Sequence, residues 1–308
     1  MADARGSTGA EVRVEVDGRT LTLSNLGKVL YPETGTTKGE VLHYYAQVAP
    51  TLLPHLADRA VTRIRWPHGT AGPSFFEKNV PNGAPGWLRT AEVPTTGSRG
   101  ESRYGDRIVF PFIDSVADLT YLANLASLEL HVHQWTFRDG EPVNPDRMVI
   151  DLDPGLPAGL HECAQVALLV RDRLAELGLP TAPVTSGSKG LHLYAPMPGA
   201  LTADEVREAA KQIAEGLEKD NPLVISSMTK AKRPGKVFLD WSQNTGSKTT
   251  ITPYSLRGTA APYAAAPRTW EEVEEGADDV LAFEQLTHTE VLARIEKHGD
   301  LFAAALAG

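Results

Sequence analysis

The stretch that most constrains this chain is Arg147-Met148-Val149-Ile150-Asp151-Leu152-Asp153-Pro154-Gly155. Met148, Ile150 and Leu152 alternate with Val149, Asp151 and Asp153, which is the period of a strand. Side chains on a strand alternate faces, so Asp151 and Asp153 share one, with Cα atoms roughly 7 Å apart. Pro154 cannot donate to a ladder, so it ends the strand and leaves both carboxylates near its C-terminal end. Two such carboxylates repel each other unless a cation lies between them. The stretch reads either as a divalent-metal site or as a solvated strand end leading into a turn.

Strands and helices interleave on both sides of it. Val12, Val14 and Val16 precede the hairpin signal Asp17-Gly18, and Leu21-Thr22-Leu23 returns. Asn25 to Pro32 reads as an ordered loop. Thr37-x-x-Glu40, Ser115-x-x-Asp118, Thr202-x-x-Glu205 and Thr287-x-x-Glu290 each open a helix. A further helix is predicted over 160–177, closed by Gly178 and Pro180. Strands are predicted over 61–66, 128–135, 183–186, 191–195, 223–227, 236–240 and 251–256. The class is α/β (α+β), with mixed central sheets flanked by helices. The chain has 308 residues, enough for one large or two ordinary domains. We expect one domain over 11–308 after a small, polar, disordered tail at 1–10.

Composition excludes some classes. No apolar run approaches the roughly 20 residues of a membrane span. Cys163 is the single cysteine, which excludes an internal disulfide and a Cys-based zinc site and suggests a reducing, cytoplasmic setting. The net charge of −9 argues against a diffuse field for nucleic acid. The charge is uneven, however. Acidic residues crowd the segment after Trp270, while Lys230, Lys232, Arg233, Lys236, Lys248 and Arg257 form a basic stretch opposed by Asp240.

Further motifs carry chemistry. In Ser186-Gly-Ser-Lys189-Gly-Leu-His192, two glycines around a lysine allow close backbone approach to an anion. The same residues also suit a plain hairpin turn. Asp240 ends an apolar strand much as Asp151 does, and could complete a site for two divalent ions or simply make an Asx turn. Arg257 is a second candidate phosphate clamp. Glu129, His131 and His133 share a face at metal-ligand spacing, or form a polar sheet face.

Taken in order, Asp151-Leu-Asp153-Pro, Ser186-Gly-Ser-Lys-Gly-Leu-His192-Leu-Tyr and Val237-Phe-Leu-Asp240-Trp-Ser-Gln243-Asn resemble the three motifs of the archaeo-eukaryotic primase superfamily. More closely, they resemble the polymerase domains of bacterial DNA ligase D. The resemblance runs from about Leu23 to about Asp300. It takes in Phe75-Phe76-Glu-Lys, Leu128-Glu-Leu-His131 and Gly246-Ser-Lys-Thr-Thr-Ile-x-Pro-Tyr-Ser-Leu-Arg257.

The resemblance implies a template-dependent, ribonucleotide-preferring nucleotidyltransferase that fills gaps at DNA breaks in non-homologous end joining. It implies that Asp151, Asp153 and Asp240 bind two Mn2+ or Mg2+ ions. Ser186, Lys189, His192 and Arg257 would hold a nucleoside triphosphate, with His131 and Gln243 nearby and Phe76 stacked on the base. Lys28 and Lys38 would take the 5′-phosphate of the downstream DNA strand. We further expect the N-terminal amides of the helix opened by Thr37 to join that pocket. The loop around 95–106 would help bring DNA ends together. Implied partners are broken or gapped DNA and ligase, nuclease and Ku-type proteins in a bacterial, nucleoid-associated setting. Alternatives are a non-catalytic DNA-end-binding module, a haloacid-dehalogenase-type phosphatase, disfavoured by Gly155, and a zinc enzyme built on Glu129, His131 and His133.

Overall fold

The computed structural model describes residues 11–94 and 107–307. The expected disordered tail and end-joining loop lie outside those residues. In chain order the elements are β1 (Val12–Val16), β2 (Arg19–Leu23), β3 (Val29–Tyr31), β4 (Thr36–Thr37), α1 (Lys38–Leu56), β5 (Val61–Arg65) and β6 (Phe75–Glu77). Then come β7 (Thr90–Pro94), β8 (Arg107–Pro111), α2 (Val116–Asn124), β9 (Ser127–Val132), β10 (Phe137–Arg138), β11 (Glu141–Pro142) and β12 (Arg147–Pro154). The remainder is α3 (Leu160–Ala175), β13 (Ala182–Thr185), β14 (Leu191–Pro196), α4 (Ala203–Asp220), β15 (Val224–Ile225), β16 (Val237–Asp240), β17 (Thr250–Ile251), β18 (Ala266–Pro267), α5 (Trp270–Asp278), α6 (His288–His298) and α7 (Leu301–Ala307).

Two sheets organise the molecule. The larger runs β15-β16-β12-β14-β13-β18, and the smaller runs β17-β9-β5-β6. In the larger sheet only β15 and β16 pair in parallel; β12 is antiparallel to both its neighbours. The alternation along β12 now has a physical meaning. Met148, Ile150 and Leu152 point into an apolar cluster with Cys163, Val166 and Val170 of α3 and Val206 and Ile213 of α4. Val149 points the other way, into a second cluster with Tyr44, Tyr45 and Val48 of α1 and Leu128 and Leu130 of β9. Both faces of β12 are therefore covered at its start, and its C-terminal end emerges between them with Asp151 and Asp153. Leu152 is fully buried, so truncating it to Ala should cost about 2–5 kcal/mol.

The expected capping boxes form at Thr37, Thr202 and Thr287, and Ser115 accepts the Asp118 amide at α2. Asp17 and Gly18 both have positive φ, 49° and 69°, as a two-residue hairpin of mirror-image turn type requires. Three expectations need correction. Asn25 to Pro32 is not all loop: β3 forms because Leu30 and Tyr31 are fully buried and Val29 and Tyr31 pair with β4. The strand expected over 251–256 stops at Ile251, since Pro253 cannot donate and Tyr254 turns to φ 70°. The strand expected over 128–135 stops at Val132, which sends His133 elsewhere. Among the described residues no helix is long and apolar enough to cross a membrane.

Candidate active site

The register of the larger sheet brings the polar ends of three strands side by side. Asp151 lies opposite His192 of β14 and, on its other side, opposite Asp240 of β16. All three point to one face. Each carboxylate is met by a donor from the chain. His192 Nε2 lies 3.4 Å from Asp151, Lys189 Nζ 3.2 Å from Asp153, Arg233 3.8 Å from Asp153 and Lys248 Nζ 3.7 Å from Asp240. Gln243 Nε2 donates to both Asp151 and Asp240 at 3.3 Å, so one amide bridges them. Ser242 Oγ donates to Asp240 and accepts from Lys248. Burial alone would raise Asp151, but His192, Arg257 and the Gln243 hydrogen bond outweigh it and hold the carboxyl below its usual range. Among the described residues no three His, Cys, Asp or Glu side chains stand close enough to grip a metal ion as they are. The donor set nevertheless suits a hard divalent cation: carboxylate oxygens on neighbouring strands, met in the free protein by two lysines, an arginine, an imidazole and an amide.

The loop between β13 and β14 is shaped by its own side chains. Ser186 Oγ accepts the amides of Ser188 and Gly190, each at 3.2 Å. Gly187 has φ 71°, and a Cβ on Gly190 would lie 2.3 Å from the Leu152 carbonyl, so this turn can press against β12 only as glycine. Gln285 clamps it from outside, accepting from the Gly187 amide at 2.7 Å and donating to the Gly190 carbonyl at 3.0 Å. Sequence reading missed Gln285, which sits in an acidic segment with no motif around it. Lys189 extends from this rigid turn with a side chain 63% exposed, free to swing. His192 is buried beside it, with Nδ1 lacking a hydrogen-bond partner among the described residues.

The smaller sheet faces this end with a second polar group. Glu129 of β9 is buried; its Oε2 lies 2.7 Å from His131 Nε2 and 3.3 Å from Arg257, and its Oε1 accepts the Gly258 amide at 2.9 Å. Burial opposes the charge on Glu129, yet His131, Arg257 and Gly258 together hold its carboxyl below the usual range. Burial also lowers His131 despite the neighbouring carboxylate. His133 does not join them. Beyond the end of β9 it stacks on Trp135 at 4.2 Å between centroids, and burial pushes it down to about 3. The zinc grouping of Glu129, His131 and His133 is therefore not formed.

These features can be set against known proteins. The chain matches the LigD primase-polymerase domain over residues 37–302. It is 49% identical over 289 residues to the multifunctional non-homologous end joining DNA repair protein LigD of Mycobacterium tuberculosis, covering 91% of this chain and 36% of that protein. It is 33% identical over 284 residues to the bifunctional LigD of Bacillus subtilis, covering 92% of this chain and 43% of that protein. The fold matches the polymerase domain of M. tuberculosis ligase D in complex with DNA, with a TM-score of 0.85, 47% identity, and coverage of 93% of this chain and 98% of that one. The chain belongs to the LigD primase-polymerase family.

As a LigD primase-polymerase domain it is a template-dependent nucleotidyltransferase with the mixed α/β fold of that family. It spans about a third of the length of its mycobacterial LigD relatives. In this LigD-type domain Phe76 lies on β6, the edge strand of the smaller sheet, and is 60% exposed, with Phe75 beside it at 47%. Lys28 is exposed, whereas Lys38 is buried and donates from Nζ to the Ser24 carbonyl at 2.6 Å. Burial, reinforced by the charge of Lys28, lowers Lys38 to about 8. The two lysines are thus neighbours, but the helix terminus between them is spent. The amides of Lys38 and Gly39 donate to the carbonyls of Lys28 and Leu26 at 2.8 Å, and Glu40 donates to Thr37 Oγ1. A contribution from free N-terminal amides of α1 is therefore corrected: the loop before the helix folds back and takes them.

Proposed function

We propose that this domain adds nucleotides to a primer 3′-hydroxyl at gaps and double-strand breaks carrying a downstream 5′-phosphate, as part of end joining. The observation that carries the reading is the register placing Asp151 between Asp240 and His192, with Lys189 on the adjoining turn. Asp151, Asp153 and Asp240 would hold two Mn2+ or Mg2+ ions. Bound there, the ions supply a lowered pKa for the attacking hydroxyl and neutralisation of the transferring phosphate. Lys189, Arg257, Ser186 and His192 bind the triphosphate, and charge-assisted bonds from Lys and Arg fix its orientation. His192 offers the triphosphate the Nε2 that faces Asp151 in the free protein. His131 and Gln243 line the same end, and exposed Phe76 offers a stacking face for a base. Lys28 and Lys38 receive the 5′-phosphate by side-chain charge rather than by helix amides.

Ribonucleotides are the preferred substrates in this reading. Ku-type, ligase and nuclease proteins are the partners, and the setting is the bacterial cytoplasm with its nucleoid. Residues 11–308 act as one domain, because the larger sheet is shared by both main apolar clusters. The deciding experiment is extension of a 5′-phosphorylated gapped duplex with manganese, comparing ribo- and deoxynucleotides. Absence of extension with either, under conditions where the DNA is bound, would return the chain to a non-catalytic end-binding module.

A further inference from the structure

We infer that Glu129 is a positioning residue of the nucleotide pocket, holding Arg257 and His131 in place from behind. The inference rests on the reading that Arg257 contacts the triphosphate. A buried carboxylate is costly unless paired and hydrogen-bonded. Among the described residues Glu129 is paired only with groups of this pocket: the His131 ring, the Arg257 guanidinium and the amide of Gly258.

The main chain of Arg257 does not need Glu129. Its amide donates to the Tyr263 carbonyl at 2.8 Å, and its carbonyl accepts from the Tyr31 hydroxyl at 2.8 Å. Gly258 packs so closely on Trp66 that a Cβ would lie 2.1 Å from the indole ring. Backbone position is thus set by Tyr31, Tyr263 and Trp66, while the guanidinium has one side-chain partner among the described residues, Glu129. Arginine presents donors on a planar fork. One terminal nitrogen is engaged by Glu129 at 3.3 Å, which leaves the others for a ligand, and the guanidinium is near enough to the end of β12 for its charge to act on Asp151. On the His131 side, donation from Nε2 to Glu129 orients the ring as well. Replacing the carboxylate by its amide would leave the backbone held by Tyr31, Tyr263 and Trp66 and release both side chains into a broader set of rotamers.

The test uses Glu129→Gln, Arg257→Ala and the double variant. Affinity for a non-reactive α,β-methylene ribonucleotide is measured on a gapped duplex with manganese, with DNA affinity and melting temperature alongside. Arg257→Ala is expected to weaken the nucleotide at least about tenfold, and Glu129→Gln by about tenfold, with DNA affinity unchanged. In the double variant Glu129→Gln should add less than about threefold, because its effect passes through a side chain already gone. A full, additive loss in the double variant overturns the inference, as does an unchanged nucleotide affinity in Glu129→Gln. If Arg257→Ala itself leaves nucleotide affinity intact, the triphosphate reading of Arg257 fails first. Should Glu129→Gln not fold, Glu129→Asp keeps the charge and shortens its reach. Weakened nucleotide binding at unchanged DNA affinity then supports the positioning role, and wild-type nucleotide affinity overturns it.

Discussion

The two sheets hold the carboxylates at this end of the molecule in opposite ways. On the larger sheet, Asp153 and Asp240 meet lysines that reach in from turns, Lys189 and Lys248, at 3.2 and 3.7 Å. Both lysine side chains are well exposed, at 63% and 41%. On the smaller sheet, Glu129 is sealed in and its partners sit on a backbone held from several sides. Loose, solvent-screened pairs are worth little and are readily exchanged. Buried, hydrogen-bonded networks are costly to break and define one geometry. The larger sheet is thus built to trade its cations for others, and the smaller one to stay as it is.

The largest expected effect breaks the exchangeable side. Asp151→Ala, Asp153→Ala or Asp240→Ala should each bring primer extension to background. For Asp153, which is 36% exposed, the melting free energy should move by no more than about 1 kcal/mol. Substantial extension by any of the three would remove the common site. A smaller effect separates the sheets. Arg257→Ala should weaken nucleotide use towards the upper end of about 1.5–3 kcal/mol, and Lys189→Ala towards the lower end, since Lys189 loses more freedom on binding. Equal losses would show that preorganisation by Glu129 has no energetic consequence.

Smaller again is the effect at the DNA end. The Lys28→Ala/Lys38→Ala double variant should lose the preference for a 5′-phosphorylated gap and bind DNA with a salt slope shallower by about 1–2. Equal wild-type affinity for phosphorylated and unphosphorylated gaps would remove the pocket. The smallest effect is in pH. Lys38 is lowered to about 8, so below that value it is charged and the 5′-phosphate preference is fully present; it declines as pH rises through 8. Stability of the free protein moves the other way. The unfolded chain binds the Lys38 proton more tightly, so between about 8 and the ordinary lysine value a rising pH favours folding. Binding isotherms and melts from pH 7 to 9.5 would check both signs against Lys38→Ala, which should show neither.

What the sequence revealed followed from local pattern. The period-2 alternation around Asp151 and the proline after Asp153 located a strand end with two carboxylates on one side. The same logic found Asp240. Capping boxes were legible because Thr and Glu three apart satisfy each other within one turn. What stayed hidden depended on groups distant in the chain. Glu129 could be placed on a face with His131, but its bond to Arg257 spans 128 positions, and nothing local announces it. Gln285 is recognisable only because the β13–β14 turn lies against it. The amides of α1 looked free in sequence because the carbonyls of Leu26 and Lys28 that use them come from a loop folding back. His133 followed the strand period, yet β9 had already ended.

The antiparallel register of β12 also bears on how such a domain can change over generations. Adding or deleting one residue within the strand would turn Asp151 and Asp153 into the α3–α4 core and carry Ile150 or Leu152 out in their place. A single step would bury both carboxylates and strip the core of the apolar face it packs on. Variation in length is therefore tolerable only outside the strand, while inside it inheritance is confined to one-for-one replacement. Gly190 narrows even that, because any side chain there collides with the Leu152 carbonyl.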